Sequence, residues 1–260
     1  MNGDDVLPIE LVNSQKETAD AGGLRLVEDV AEPRPFPVIE SQFVNFMLLR
    51  VDKDWRRLDD DTKREYKAEF TEVFDRFRGE MLMFSYSLVG FDSKADLMFW
   101  RISNSLDVIQ EMTSALFHTR FGSYLETADN YLASTKRMMF VSDSSEDRFY
   151  VNAGERMYHF LYPCVKNSQW REKTIDERDA LMEENFMIGK KFPNIRIHLT
   201  HAFGFGEQDY IISFETDEPR DFLNLADELA RTTASKFTMR GTPIYTCRQR
   251  SLSECLDALG

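Results

Sequence analysis

The chain of 260 residues predicts an α+β protein made of two tandem ferredoxin-like units, each β-α-β-β-α-β. Their antiparallel sheets are expected to face one another or curl into a dimeric α+β barrel contained in one chain. Three observations support this class. Each half contains two segments with helical spacing of apolar residues. Strand-like runs flank and separate those segments. The same order of elements appears in residues 39–150 and again in 151–250.

In the first unit, residues 43–51 read as a strand. Residues 52–78 follow as a helix, with Tyr66, Phe70, Val73, Phe74 and Phe77 at three-and-four spacing. Two strands are expected at 82–90 and 95–102, around the turn residues Phe91-Asp92-Ser93-Lys94. A second helix spans 103–117, with Ser103 or Ser105 as its cap, and a strand at 131–141 closes the unit. In the second unit, a strand at 157–166 leads to a helix at 174–188 that opens on a Thr-x-x-Glu box, Thr174 and Glu177. A hairpin follows, 194–203 with 208–215, around Gly204-Phe205-Gly206. Asp217 or Glu218 then opens a helix whose Pro219 suits a first turn, and 236–246 is the last strand. Residues 251–260 are left as a C-terminal tail.

Residues 1–38 form an N-terminal arm of different composition, holding four of the eight prolines. Nine acidic and three basic residues lie within 1–40, which accounts for −6 of the net charge of −13. With this acidity and no basic stripe interleaved with aromatics, neither nucleic acid nor an anionic membrane is expected as a partner. The content of 42% hydrophobic and 13% aromatic residues excludes disorder, and no apolar run approaches a membrane span. The three cysteines form neither a disulfide framework nor a metal pair. With no secretory start at Met1, this fits a cytoplasmic protein.

Local motifs for phosphate loops, zinc proteases and serine hydrolases are absent. Of the four histidines, His198 and His201 share one predicted strand but point to opposite faces, and His159 alternates with the aromatics Tyr158, Phe160 and Tyr162. His118 lies at a helix end. The run from Tyr162 through Lys166 to Trp170 is more distinctive. A phenol, a cation and an indole at a strand end suit a planar anionic ligand, although a strand leaving the core with Trp170 covering its edge accounts for the same residues.

Over about residues 41–248 the sequence resembles the chlorite dismutase-like haem proteins, a family that includes the coproheme decarboxylases. The resemblance rests on Phe43-Val44-Asn45-Phe46, Asp96-Leu97-Met98-Phe99-Trp100-Arg101-Ile102 and Tyr124-Leu125-Glu126-Thr127 in the first unit. It continues through Tyr131 to Arg137, the Tyr-Pro-x-x-Lys-x-x-x-Trp run at Tyr162, Phe214 to Asp221, and Thr242-Pro243-Ile244-Tyr245-Thr246. It implies a tandem ferredoxin-like barrel, assembly into homo-oligomers such as pentameric rings, and a haem cavity in the C-terminal unit. In that family a helix histidine binds the iron, an acidic residue orients it, and an Arg or Gln lies over the open face.

Here Asn185 stands in the histidine's place, within the run Glu184-Asn185-Phe186-Met187-Ile188-Gly189, and an amide is a poor ligand for haem iron. Thr233 and Ala234 occupy the neighbourhood of the orienting acid. The position over the open face falls on Ile197, flanked by Arg196 and His198. The resemblance therefore leaves three readings. The first, preferred one is a protein with no cofactor and no metal site, lacking chlorite dismutase activity. It would serve in binding or assembly, with Tyr162, Lys166, Trp170, Asn185, Ile197 and Arg196 around the cavity. The second is a haem oxidoreductase with His201, His198 or Met187 as a substitute ligand. The third is an enzyme acting on a porphyrin-like or other organic ligand through Tyr162 and Lys166. A haem-bearing paralogue or a redox complex is the expected partner of the acidic arm.

Overall fold

The computed structural model describes residues 41–136, 153–239 and 242–260. The arm at 1–38 lies outside them. Strand β1 (Phe43–Val51) is buried along most of its length because it is covered on both faces. Val44, Phe46 and Leu48 join one apolar cluster, and Met47, Leu49 and Val51 join another. Helix α1 (Asp60–Asp75), β2 (Leu82–Ser87), β3 (Leu97–Ser103), α2 (Leu106–Phe117) and β4 (Leu125–Ser134) complete the first unit. The second unit comprises β5 (Tyr158–Cys164), α3 (Ser168–Arg171), α4 (Ile175–Gly189), β6 (Arg196–His201), β7 (Tyr210–Thr216), α5 (Pro219–Ala230) and β8 (Tyr245–Gln249).

The strand order is β4-β1-β3-β2 in the first unit and β8-β5-β7-β6 in the second, so the two repeat one topology. Antiparallel pairing of β2 with β8 and of β4 with β6 closes them into a single eight-stranded barrel. The α+β class and the repeated units are thus as the sequence predicts.

Four boundaries differ from expectation. The segment 52–78 is broken into a 3-10 turn (Lys53–Arg57) and α1, because Asp52 and Asp59 each cap a new start. Asp59 accepts the Thr62 N–H at 2.9 Å. Strand β4 begins six residues early, at Leu125, drawn into the sheet by pairing with β1 from Val51↔Leu125 to Phe43↔Ser134. The expected strand at 236–246 is replaced by a 3-10 turn (Ala234–Phe237), and β8 starts only at Tyr245. The last residues fold into α6 (Leu252–Asp257), opened by a Ser251–Glu254 capping box and burying Leu252, Cys255 and Leu256. No helix among the described residues is long and apolar enough to cross a membrane.

The two units are filled unequally. Outside the barrel, α1 buries Phe70, Val73 and Phe74, and α2 buries Ile109, Met112 and Leu116. Each such side chain contributes about 1.5–3 kcal/mol. In the second unit α5 buries only Phe222 and Leu225, and α4 buries no residue at all. Helix α4 meets the sheet near its C-terminal end, where Ile188 packs on the cluster of Phe160 and Phe214 and Gly189 lies against Ile197. It stands off along the rest of its length, with a hollow beneath it.

Candidate functional site

Strands β5 and β7 turn Phe160, Tyr162, Cys164, Tyr210, Ile212 and Phe214 outward, toward α4 and α5. The space between this face and the helices has two lobes, each of about 600 Å³. The lobes share Met182 and Asn185 from α4, Leu229 from α5, and Ile212 and Phe214 from β7. Such volumes, with apolar walls and few polar groups, are typical of small-molecule sites.

The first lobe carries Lys166, Lys236, Tyr162 and Thr242, and the second is edged by Asp179, Glu183 and Lys190. The Lys166 backbone N–H donates to Asp209 Oδ2 at 2.7 Å, which fixes the chain where it leaves β5. Its Nζ donates to Thr238 Oγ1 at 2.8 Å and to Ala234 O at 3.2 Å, and lies 4.6 Å from the centre of the Trp170 ring. Burial lowers the Lys166 pKa from its ordinary value, and no carboxylate forms an ion pair with its Nζ among the described residues. Lys236, Tyr162 and Thr242 line the same lobe. This cluster offers donors to the carboxylates of an otherwise apolar ligand. Trp170 is buried beneath Lys166 and lines neither lobe.

Asn185 lies where the lobes meet. Its Nδ2 donates to Met182 Sδ at 3.9 Å, while its Oδ1 is buried and has no hydrogen-bond partner. Ile197 and Leu199 line the second lobe. Arg196, beside Ile197, lines neither lobe and instead pairs with Glu155.

The substitute ligands considered from sequence all lie elsewhere. His198 is on the inner face of the barrel, with Nε2 2.8 Å from Glu215 Oε2, and Trp100 packs on it. His159 is also internal, among Phe46, Tyr86 and Trp100. His201 shares the outward face with Ile197 but packs on Tyr210, and Met187 is exposed on α4; neither lines the cavity. Among the described residues, no group of three or more His, Cys, Asp or Glu is arranged to hold a metal ion. Sequence reasoning missed Met182, Tyr210 and Lys236. A signal for Met182 was present, since it precedes Asn185 by three residues and so shares its helix face.

Comparison with known proteins agrees with this geometry. The profile of the family described as chlorite dismutase matches residues 63–250. The chain belongs to the chlorite dismutase family. It is 26% identical over 213 residues to the chlorite dismutase of Ideonella dechloratans, covering 77% of this chain and 74% of that protein. It is 24% identical over 183 residues to the coproheme decarboxylase of Mycolicibacterium smegmatis, covering 70% and 79% respectively. A solved mutant chlorite dismutase from Candidatus Nitrospira defluvii superposes with a TM-score of 0.75 at 27% identity, covering 83% of this chain and 94% of that one. These findings overturn the expectation of a chain without a cofactor, because membership of this family points to haem.

The residues on the cavity wall fit the ring of such a group. Phe214, Ile212, Phe222 and Leu229 supply apolar walls, and Lys166, Lys236, Tyr162 and Thr242 supply donors for carboxylate arms. The buried, unpartnered oxygen of Asn185 marks a point where the protein alone leaves a polar group unsatisfied.

Proposed function

We propose that this chain is a haem-binding member of the chlorite dismutase family that does not dismutate chlorite. The tetrapyrrole would lie between α4, α5 and the outer face of β5, β6 and β7. The observation that carries the reading is a largely apolar cavity with an amide, Asn185, at the junction of its lobes. The sequence resemblance expects the iron-binding histidine at this position, and that expectation supports haem binding without dismutation. When bound, haem supplies an iron centre for binding small ligands and passing electrons.

The chain's own part is to hold and screen that group. Lys166, anchored by Thr238 and Ala234, meets a carboxylate arm with its ammonium. Ile212, Phe214 and Leu229 exclude water from the ring. On β6 the cavity presents Ile197 and Leu199 in place of a cation, and Arg196 is engaged by Glu155. No cation of β6 therefore lines the cavity to hold an anion such as chlorite, and the lysine of the second lobe, Lys190, comes from the C-cap of α4 instead; this supports the absence of dismutation. The reading includes a homo-oligomer, as expected of the family. It also includes a cytoplasmic setting, supported by three buried free cysteines.

The test is haem titration followed by absorption spectroscopy and oxygen evolution from chlorite. Saturable haem binding with no oxygen release is expected. Asn185→His is expected to bind haem more tightly and to give an imidazole-type Soret spectrum. Rapid oxygen release by the unmodified protein, or its failure to bind haem, would overturn the proposal.

A further inference from the structure

The cavity lacks an imidazole but contains sulfur. Met182 lies one turn before Asn185, and these two are the only α4 residues common to both lobes. The Asn185 Nδ2 contact at 3.9 Å holds the Met182 thioether at the junction of the lobes, and no other hydrogen bond reaches that sulfur among the described residues. The other side chains on the wall able to bind haem iron compare poorly. Burial pushes the Cys164 thiol and the Tyr162 and Tyr210 phenols up from their ordinary values, so each keeps its proton at neutral pH. Methionine has no proton to lose. Met239, also on the wall, is 48% exposed and lines one lobe, whereas Met182 is half-buried and lines both.

Resting on the haem reading above, we propose that Met182 is the axial iron ligand of this chain and that Asn185 is the residue positioning its sulfur. Thioether ligation is among the modes by which proteins hold haem and raise its reduction potential. It places the site with electron transfer or haem storage rather than with oxyanion turnover.

The experiment uses the full chain loaded with ferric haem, followed by absorption and magnetic circular dichroism into the near infrared. A thioether-to-iron charge-transfer band is expected. Met182→Leu, close in volume to the original, should lose that band and shift the Soret maximum while still binding haem and keeping its far-ultraviolet dichroism. Met239→Leu should keep the band, and Asn185→Ala should weaken it without abolishing haem binding. Haem bound without the band, or a band that survives in Met182→Leu, overturns the ligand assignment and leaves the haem reading standing. Failure of the unmodified chain to bind haem overturns both.

Discussion

Asn185 Oδ1 is buried without a partner, and an unmade hydrogen bond of this kind costs about 1–3 kcal/mol. Asn185→Leu removes that cost, so the ligand-free protein is expected to gain about 1 kcal/mol in urea unfolding. A loss of stability would show that the amide is a structural group and not one kept for a ligand. Arg101 is the opposite case. It is 1% exposed, burial pulls its pKa down to about 10, and no carboxylate pairs with it among the described residues. Its donors are met by Asn45 Oδ1, Thr113 Oγ1 and Ile109 O, so this buried cation is satisfied by neutral acceptors and belongs to the packing of the first unit.

At the scale of elements, α4 is unusual because packing contributes little to it: it buries no side chain. Its N-terminus is held instead by the capping box, in which Thr174 Oγ1 accepts the Glu177 N–H at 3.3 Å and Glu177 Oε2 accepts the Thr174 N–H at 2.7 Å. Thr174→Ala is expected to cost about 1 kcal/mol, appearing as roughly fivefold faster hydrogen exchange confined to the first turns of α4. Uniform acceleration across the barrel would contradict this local role. The loop before β5 is the converse, fixed by its neighbours. Gly154 adopts φ +70°, donates to Glu215 Oε1 at 2.9 Å, and leaves no room for a Cβ beside the Phe84 ring. The Thr-x-x-Glu box was legible because its chemistry is local. The start of β4 was not, because Glu126, Asp129 and Asn130 are weak strand formers held in place by β1. The box at Ser251 and Glu254 is equally local, but it opens a helix of only six residues, which periodicity alone does not reveal.

Across the whole molecule, burying histidines inside a closed barrel couples stability to pH. His159 is wholly buried with neither ring nitrogen hydrogen-bonded, and burial holds its pKa well below the ordinary 6.5. His201 is shifted in the same direction. The unfolded chain therefore binds more protons below about pH 6.5 than the folded one, so stability present at neutral pH is lost as pH falls. The urea midpoint should drop between pH 7 and pH 5, and His159→Phe should flatten that slope; an unchanged slope would assign the effect to other groups. The sequence by itself determined the repeated order of strands and helices, since apolar strand runs, the periodicity of α1, α2 and α5, and the Thr174–Glu177 box opening α4 are local signals. The family motifs further singled out Tyr162, Lys166, Asn185 and Ile197. Only the tertiary structure decided that α4 stands off its sheet, that His198 turns inward to Glu215 while Ile197 faces the cavity, and that Met182 meets Asn185 where the two lobes join. A hollow is a relation between elements distant in the chain, and no local pattern of residues encodes the gap between them.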